Sequence, residues 1–368
     1  MNSNKKIYAA VDLFAGVGGI RLGFEYAFNC HSDSNSGIET VFVCEQDSKA
    51  RHTYRSNFDT PEDRLAWGSD IRDQDVKKHI PKFDICLAGF PCQAFSNAGH
   101  RQGFEDEKKR GTLFFDMAEI CEKHKPDIIF CENVRGLFTF GKKQPSGYHE
   151  IYDVIRSKLE ALGYDVRETI LDSSKFGVPQ HRERLYIVAF RRGLLEKAAN
   201  NGIEFKFPTS NEWAAVSKQW AASRLEDIRE QGPIPGHYYL SERFLATLRR
   251  HRKEHEKKRH GFGYVIREWD GISGTILCSS MGRERNLVVD PNHEDLLFSS
   301  TRSGPKNKEH IRQLTPTEFM RLQGFPSTFN IEGVPKTILY KQFGNSVTIP
   351  VIESIAREIR RVLEAANI

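Results

Sequence analysis

Ile7-Tyr8-Ala9-Ala10-Val11-Asp12-Leu13-Phe14-Ala15-Gly16-Val17-Gly18-Gly19 is an apolar run that leads into a glycine-rich loop. A short buried strand that ends in glycines and opens a helix is the first step of a βαβ fold. The pattern then repeats. Candidate strands Thr40–Cys44, Asp84–Ala88, Asp127–Cys131 and Leu185–Phe190 alternate with helical stretches over Ile20–Ala27, Leu113–His124 and Tyr148–Leu162. Such alternation predicts an α/β fold with a parallel sheet. The Ser/Asp/Asn-rich segment His31–Gly37 reads as a surface loop. From about Gly193 to Pro305 the alternation is lost and Gly, Pro, Trp, His and Arg become frequent, which predicts a second, irregular domain. The helical tail Ile349–Ala365 returns to the character of the first half.

The 368 residues are 39% hydrophobic and 28% charged, with a net charge of +5, so the chain reads as soluble and globular and is compatible with a polyanionic partner. No apolar run approaches a membrane span. The signal-like start Lys5-Lys6-Ile7 is interrupted by Asp12 and reads as a first strand. Seven scattered cysteines without a Cys-x-x-Cys pair argue against a disulfide framework and a zinc site, and for a reducing cytoplasm. No histidine pair at metal-binding spacing stands out, and no metal is expected. Between Arg243 and His260 there are eight Lys/Arg, three His and two Glu, a basic stretch that suits either a solvated helix face or phosphates.

Four candidate strands end in chemically loaded residues: the Phe14–Gly19 loop, Glu45-Gln46-Asp47, Pro91-Cys92 and Glu132-Asn133-Val134. In a parallel sheet these carboxyl ends share one edge, where open α/β sheets bind ligands. Gly16 and Gly18 fit a dinucleotide fingerprint but Arg21 occupies its third glycine position, and the Gly-Lys-Ser/Thr of a P-loop is missing. With Glu45 placed to grip a ribose diol, the loop supports a ribose-containing cofactor. In Gly89-Phe90-Pro91-Cys92-Gln93-Ala94-Phe95-Ser96, proline and glycine hold a cysteine on a bend past a strand, as a nucleophile requires. Glu132 is a candidate acid toward a ring nitrogen. Arg182 and Arg184, on one side of the fifth strand, suit carbonyl or phosphate binding.

These residues, in this order, resemble the bacterial cytosine-C5 DNA methyltransferases of restriction–modification systems. The matching blocks are Asp12–Ile20, Glu45–Asp47, Asp70-Ile71, Gly89–Ser96, Arg110–Leu113, Glu132–Val134, Gln180–Arg184, Arg312–Pro326 and Tyr340–Val347. The resemblance implies a Rossmann-like S-adenosylmethionine-binding catalytic domain over 1–192 plus 327–368, and a target-recognition domain with hinge over 193–326. It implies S-adenosylmethionine held by Phe14, Ala15, Gly16, Gly18, Gly19, Ile20, Glu45, Gln46, Asp70, Ile71, Leu113 and Asn345. Gln46 replaces the family's common tryptophan, so stacking there is weaker, and Ala98 replaces a serine found in some relatives. By the same resemblance Cys92 adds to C6 of a flipped cytosine, Glu132 engages N3, and Arg182 and Arg184 hold O2. Gln93, Ser96, Arg110, Arg249, Arg250, Arg252, Lys253, Arg283 and Arg285 are the expected contacts to double-stranded DNA, with Gly261–Tyr264 and Thr275–Gly282 as recognition loops. The implied setting is the cytoplasm of a bacterium or phage, a monomer, and an unbound cognate endonuclease sharing the target. The rival is an RNA cytosine methyltransferase on the same scaffold, against which stand the absence of a Cys-Phe-Thr tripeptide and the long second domain.

Overall fold

A computed structural model describes residues 5–30, 35–58, 66–91, 113–210, 221–257, 263–292 and 305–367. Two compact units emerge: Met1–Asp172 with Glu183–Ala215 and Ile349–Ile368, and Ser173–Arg182 with Val216–Thr348.

The first unit is a sheet of seven strands: β1 Lys6–Leu13, β2 Ser36–Cys44, β3 Ala66–Gly68, β4 Ile85–Ala88, β5 Ile128–Val134, β6 Tyr164–Asp172 and β7 Glu183–Arg191, in the order β3-β2-β1-β4-β5-β7-β6. β1 pairs in parallel with β2 and β4, and β4 in parallel with β5. β4 is buried at all four positions and β5 at six of seven, as strands covered on both faces must be. Connecting helices are α1 Gly19–Asn29, α2 Ser48–Phe58, α3 Gln74–Lys78, α4 Leu113–His124, α5 Arg135–Thr139, α6 Glu150–Ala161 and α7 Leu194–Asn200. The chain leaves β1 toward β2 but reaches β4 on the other side, so the switch point of the sheet lies between the loops after β1 and β4.

Three expectations are corrected. First, the sheet is not wholly parallel: β7 runs antiparallel to β5 and to β6. Second, β3 and β6 escape the sequence reading. β3 is three residues long, and β6 is an edge strand whose Arg167, Glu168 and Asp165 break any apolar run. Third, Ser36 and Gly37 belong to β2, with the Ser36 hydroxyl donating to Glu364 at 2.7 Å; residues 31–34 lie outside the described ones.

The unit boundaries also differ from the expected 192/193 and 326/327. α7 stays with the sheet, where the Asn201 amide donates to the Ala365 carbonyl at 2.8 Å. The segment 327–348 joins the second unit because the helix Lys336–Asn345 is tied there: the Tyr340 hydroxyl donates to the Leu314 carbonyl at 2.6 Å and Gln323 to the Phe343 carbonyl at 2.8 Å. The second unit carries a small mixed sheet of β8 Ile266–Arg267, β9 Leu287–Val289 and β10 Ile311–Gln313. Packed with it, Leu240, Leu245, Leu248, Leu287 and Ile311 form a separate apolar core.

The tail helix Ile349–Ala365 is buried along most of its length, consistent with its strongly one-sided apolar pattern. It lies on α1 at Gly23, where a Cβ would stand 2.6 Å from Ile352. Backbone approach that close requires glycine, even at a helix-interior cost of roughly 1 kcal/mol. Gly23→Ala is expected to lower stability by about 1–2 kcal/mol, since overpacking outweighs the gain in helix propensity. A urea midpoint equal to that of the wild type would contradict this packing.

Candidate active site

The loop after β1 is shaped by left-handed backbone: Phe14 has φ +59°, Gly16 +57° and Gly18 +85°. At Gly18 a Cβ would also meet the Phe58 ring at 2.3 Å, whereas at Gly16 nothing lies within 4 Å of that position. Gly16 therefore presents bare backbone to open space. The Glu45 carboxylate fixes the loop from the neighbouring strand end. One oxygen accepts from Gly16 N–H at 2.8 Å and the other from Asp47 N–H at 2.7 Å. A carboxylate has about four acceptor sites, so Glu45 retains capacity for hydroxyl donors. Phe14 and Leu113 sit half-buried on the rim of the main apolar core, while Ile71 and Ile20 are buried. Gln46 is exposed and donates to Asp70 at 3.3 Å. Arg72 grips Asp70 at 2.6 Å, and that hydrogen bond holds the Asp70 carboxyl below its usual range. Flat apolar rim, exposed amide–carboxylate pair and carboxylate-braced glycine loop suit, in turn, a heterocycle, its amino group and a ribose. Asn345 closes its helix in the second unit.

At the adjacent strand ends, Glu132 is buried near the end of β5, and the Arg184 guanidinium lies 3.2 Å from its carboxylate. The antiparallel course of β7 makes this possible, because it brings the amino end of β7 to the carboxyl end of β5, with Val134 opposite Arg184. Asn133, also buried, donates to the Phe90 carbonyl at 3.0 Å and so ties β5 to the loop that follows β4. Sequence reading passed over this role, although Asn133 sits beside the flagged Glu132. Outside the pair, Arg135 bridges to Glu183 at 2.6 Å. Cys92, Gln93, Ser96 and Arg110 lie outside the described residues; Pro91 is the last residue described before them.

Arg182 does not share a strand face with Arg184. It precedes β7, belongs to the second unit and is buried, donating to the carbonyls of Ile276 at 3.0 Å and Ser346 at 2.5 Å. These bonds, on either side of Asn345, make it a brace of the Gly344–Ser346 turn, so of the two arginines only Arg184 reaches Glu132. Gln180 has a like role, donating to the Leu322 carbonyl and accepting from Ile276 N–H.

The basic stretch is a helix, Glu242–Lys257, anchored by Leu245 and Leu248. Arg249 pairs with Glu309 at 2.6 Å and Arg252 with Glu256 at 2.9 Å, so part of its charge is neutralised within the protein. Arg250 and Lys253 are exposed and have no carboxylate partner among the described residues. His251 and His255 do carry a four-residue spacing, which the sequence reading overlooked, with their Nε2 atoms 3.1 Å apart. Arg283 stacks on the Tyr340 ring at 4.8 Å, and the Arg285 carbonyl accepts from Arg267 at 3.2 Å.

The family model for C-5 cytosine-specific DNA methylases matches residues 8–361. The chain is 42% identical to the type II methyltransferase M.HpaII of Haemophilus parainfluenzae, over 96% of this chain and 89% of that protein. It is 35% identical to M1.ScrFI of Lactococcus lactis subsp. cremoris, over 98% and 80%. Among solved structures, the S. pombe Dnmt2 methyltransferase superposes with a TM-score of 0.65 at 19% identity, over 99% of this chain and 100% of that one. A methyltransferase encoded within an E. coli prophage gives 0.61 at 20%, over 97% and 99%. At those identities the structural likeness concerns the fold.

A further buried acid lies under the glycine loop. Asp12, fully buried in β1, accepts from the Tyr54 hydroxyl at 3.2 Å through one oxygen, while the other has no hydrogen-bond partner among the described residues. Burial raises its pKa to about 7. Because the folded value exceeds the unfolded one, the stabilising contribution is complete below about pH 4 and is lost as pH rises through about 7. Asp12→Asn is expected to flatten the stability–pH profile in that window, where the wild type loses up to about 1.4 kcal/mol per unit. Equal slopes for the two proteins in urea titrations across the window would refute the assignment.

Proposed function

The chain belongs to the C-5 cytosine-specific DNA methylase family and is a DNA cytosine methyltransferase of the type II restriction–modification kind, and from that premise we propose how its residues perform the reaction. The observation that carries the proposal is the meeting of Glu132, Arg184 and Asn133 at the strand ends beside the loop that leads to Pro91-Cys92. When bound, S-adenosylmethionine supplies an electrophilic methyl group on a sulfonium. Phe14 and Leu113 would flank its adenine, Asp70 and Gln46 would meet the amino group, and Glu45 would take the ribose hydroxyls. The bare backbone at Gly16 would let the remainder pass close. The second unit, 173–182 with 216–348, would read the target in double-stranded DNA.

Cytosine C5 is too weak a nucleophile to take the methyl group unaided. The Cys92 thiolate would add to C6 as Glu132 hydrogen-bonds to N3, which turns C5 into an enamine carbon. C5 then takes the methyl group. Loss of its proton to a base re-forms the double bond and expels the thiolate. Arg184 would orient the Glu132 carboxyl and donate to O2 of the base. The Asn133–Phe90 bond would hold the approach to the nucleophile in register with Glu132. A cytosine stacked in a duplex cannot reach this edge, so the base must be flipped out, at a cost of a few kcal/mol. The protein would act as a monomer in a bacterial or phage cytoplasm, protecting DNA from an endonuclease that it does not bind. Among the described residues no helix is long and apolar enough to cross a membrane.

Bisulfite sequencing of duplex DNA incubated with S-adenosylmethionine and the protein should reveal protected cytosines in one short repeated context. Cys92→Ser should abolish protection while duplex binding persists; normal turnover by that variant would overturn the covalent route. For the basic helix, Arg250→Gln with Lys253→Gln should reduce the salt slope of duplex binding by about 0.9 per lost phosphate contact. Arg249→Gln and Arg252→Gln should change it less, because each removes a cation already paired. Equal slopes in all the variants and the wild type would return the helix to a solvated face.

A further inference from the structure

We propose that Arg283, Lys336 and Lys306 form a phosphate-binding station for the DNA backbone, built on two tyrosines of the second unit. Lys336 and Tyr340 are four residues apart on the helix Lys336–Asn345 and so share one of its faces. The Arg283 guanidinium lies 4.8 Å above the Tyr340 ring, and the Lys336 ammonium 5.4 Å from the Tyr238 ring. From the next residue along, the Tyr239 carbonyl accepts a hydrogen bond from Lys306 Nζ at 2.9 Å. Side-chain stacking and a carbonyl thus hold all three cations along one short path.

Three cations gathered without a counter-charge need a reason. None has a carboxylate partner among the described residues, and the nearest candidates are engaged elsewhere. Glu318 holds Arg312 through both oxygens at 2.8 Å, and Glu230 accepts the Thr315 hydroxyl at 2.5 Å. Burial and then Arg283 push the Lys336 ammonium below the usual lysine range, and burial and then Lys336 do the same to Lys306. The helix itself adds to the positive field. It begins after Pro335 without a side-chain cap and without an acidic residue in its first turn. An anion lodged among these groups relieves the repulsion, and a phosphodiester is the anion that a DNA methyltransferase meets. The site thus deepens, and rests on, the DNA-binding reading of the second unit. It also gives Arg283 a backbone role in place of the base-reading one expected from sequence.

The test is fluorescence anisotropy of a short mixed-sequence duplex titrated with the full chain at several salt concentrations. Lys336→Gln, Lys306→Gln and Arg283→Gln should each weaken binding for every duplex sequence and reduce the salt slope by about 0.9, the triple variant by the sum. Unchanged thermal midpoints would show that the variants fold, since none of these side chains pairs with a carboxylate. Three slopes equal to that of the wild type would overturn the proposal. So would inorganic phosphate raising the thermal midpoint of the wild type but not of K336Q while the DNA slopes stay equal, because the site would then serve a free anion. Wild-type protein without salt-dependent duplex binding would instead remove the DNA reading itself, which separates the two failures.

Discussion

The Glu132–Arg184 pair depends on the direction of one strand. Had β7 joined the sheet in parallel, its amino end would lie at the opposite edge, a strand length away from the carboxyl end of β5. Running antiparallel, β7 sets Arg184 opposite Val134 and within reach of a carboxylate that burial alone would disfavour. Removing either partner leaves the other charged and mostly buried, which typically costs about 3–5 kcal/mol. The pair is thus both a chemical element of the edge and a lock on the order of its strands. Asn133 extends that lock to the loop after β4, through an amide that meets one backbone carbonyl, that of Phe90.

The second unit rests on a different constraint, a fully buried guanidinium. Arg312 donates to Asp290 at 2.8 Å and to both oxygens of Glu318, and Asp290 also accepts from Arg229 at 2.8 Å. Trp269 lies against both arginines, 5.3 Å from Arg312 and 4.7 Å from Arg229. Such a network specifies its own geometry, because each charge is tolerable only while its partners stay in place. Around it run the carbonyl braces of Arg182, Gln180 and Gln323. An irregular lobe with only short strands gains its rigidity from buried polar groups more than from a large apolar core.

Sequence was most legible where burial imposes periodicity. α4 and the tail helix begin and end where their apolar patterns predict, and the four strands with continuous apolar runs were all recognisable. It was least legible where a tertiary partner decides. β6 could not be read because its charges find neighbours such as Arg156, 2.7 Å from Glu168, that sequence spacing does not reveal. The site divides in the same way. Glu45, Glu132 and the glycine loop stand out because strand ends carry chemistry. Arg182 and Arg184 look alike in sequence, and they part company only because one chain segment enters the second unit just before the other enters the sheet.

The same distinction organises the charge on the second unit. A cation counted in a sequence is not a cation available to a ligand. Arg312 and Arg229 are consumed by the interior, Arg249 and Arg252 are held by glutamates on the surface, and Arg283, Lys336 and Lys306 are held by rings and a carbonyl that leave their charge uncompensated. Aromatic rings suit that last task. They fix the position of a cation through the quadrupole without neutralising it, whereas a carboxylate fixes it by cancelling the field a phosphate would feel. A surface that must meet a polyanion in a defined register therefore does better with tyrosines beneath its cations than with glutamates beside them.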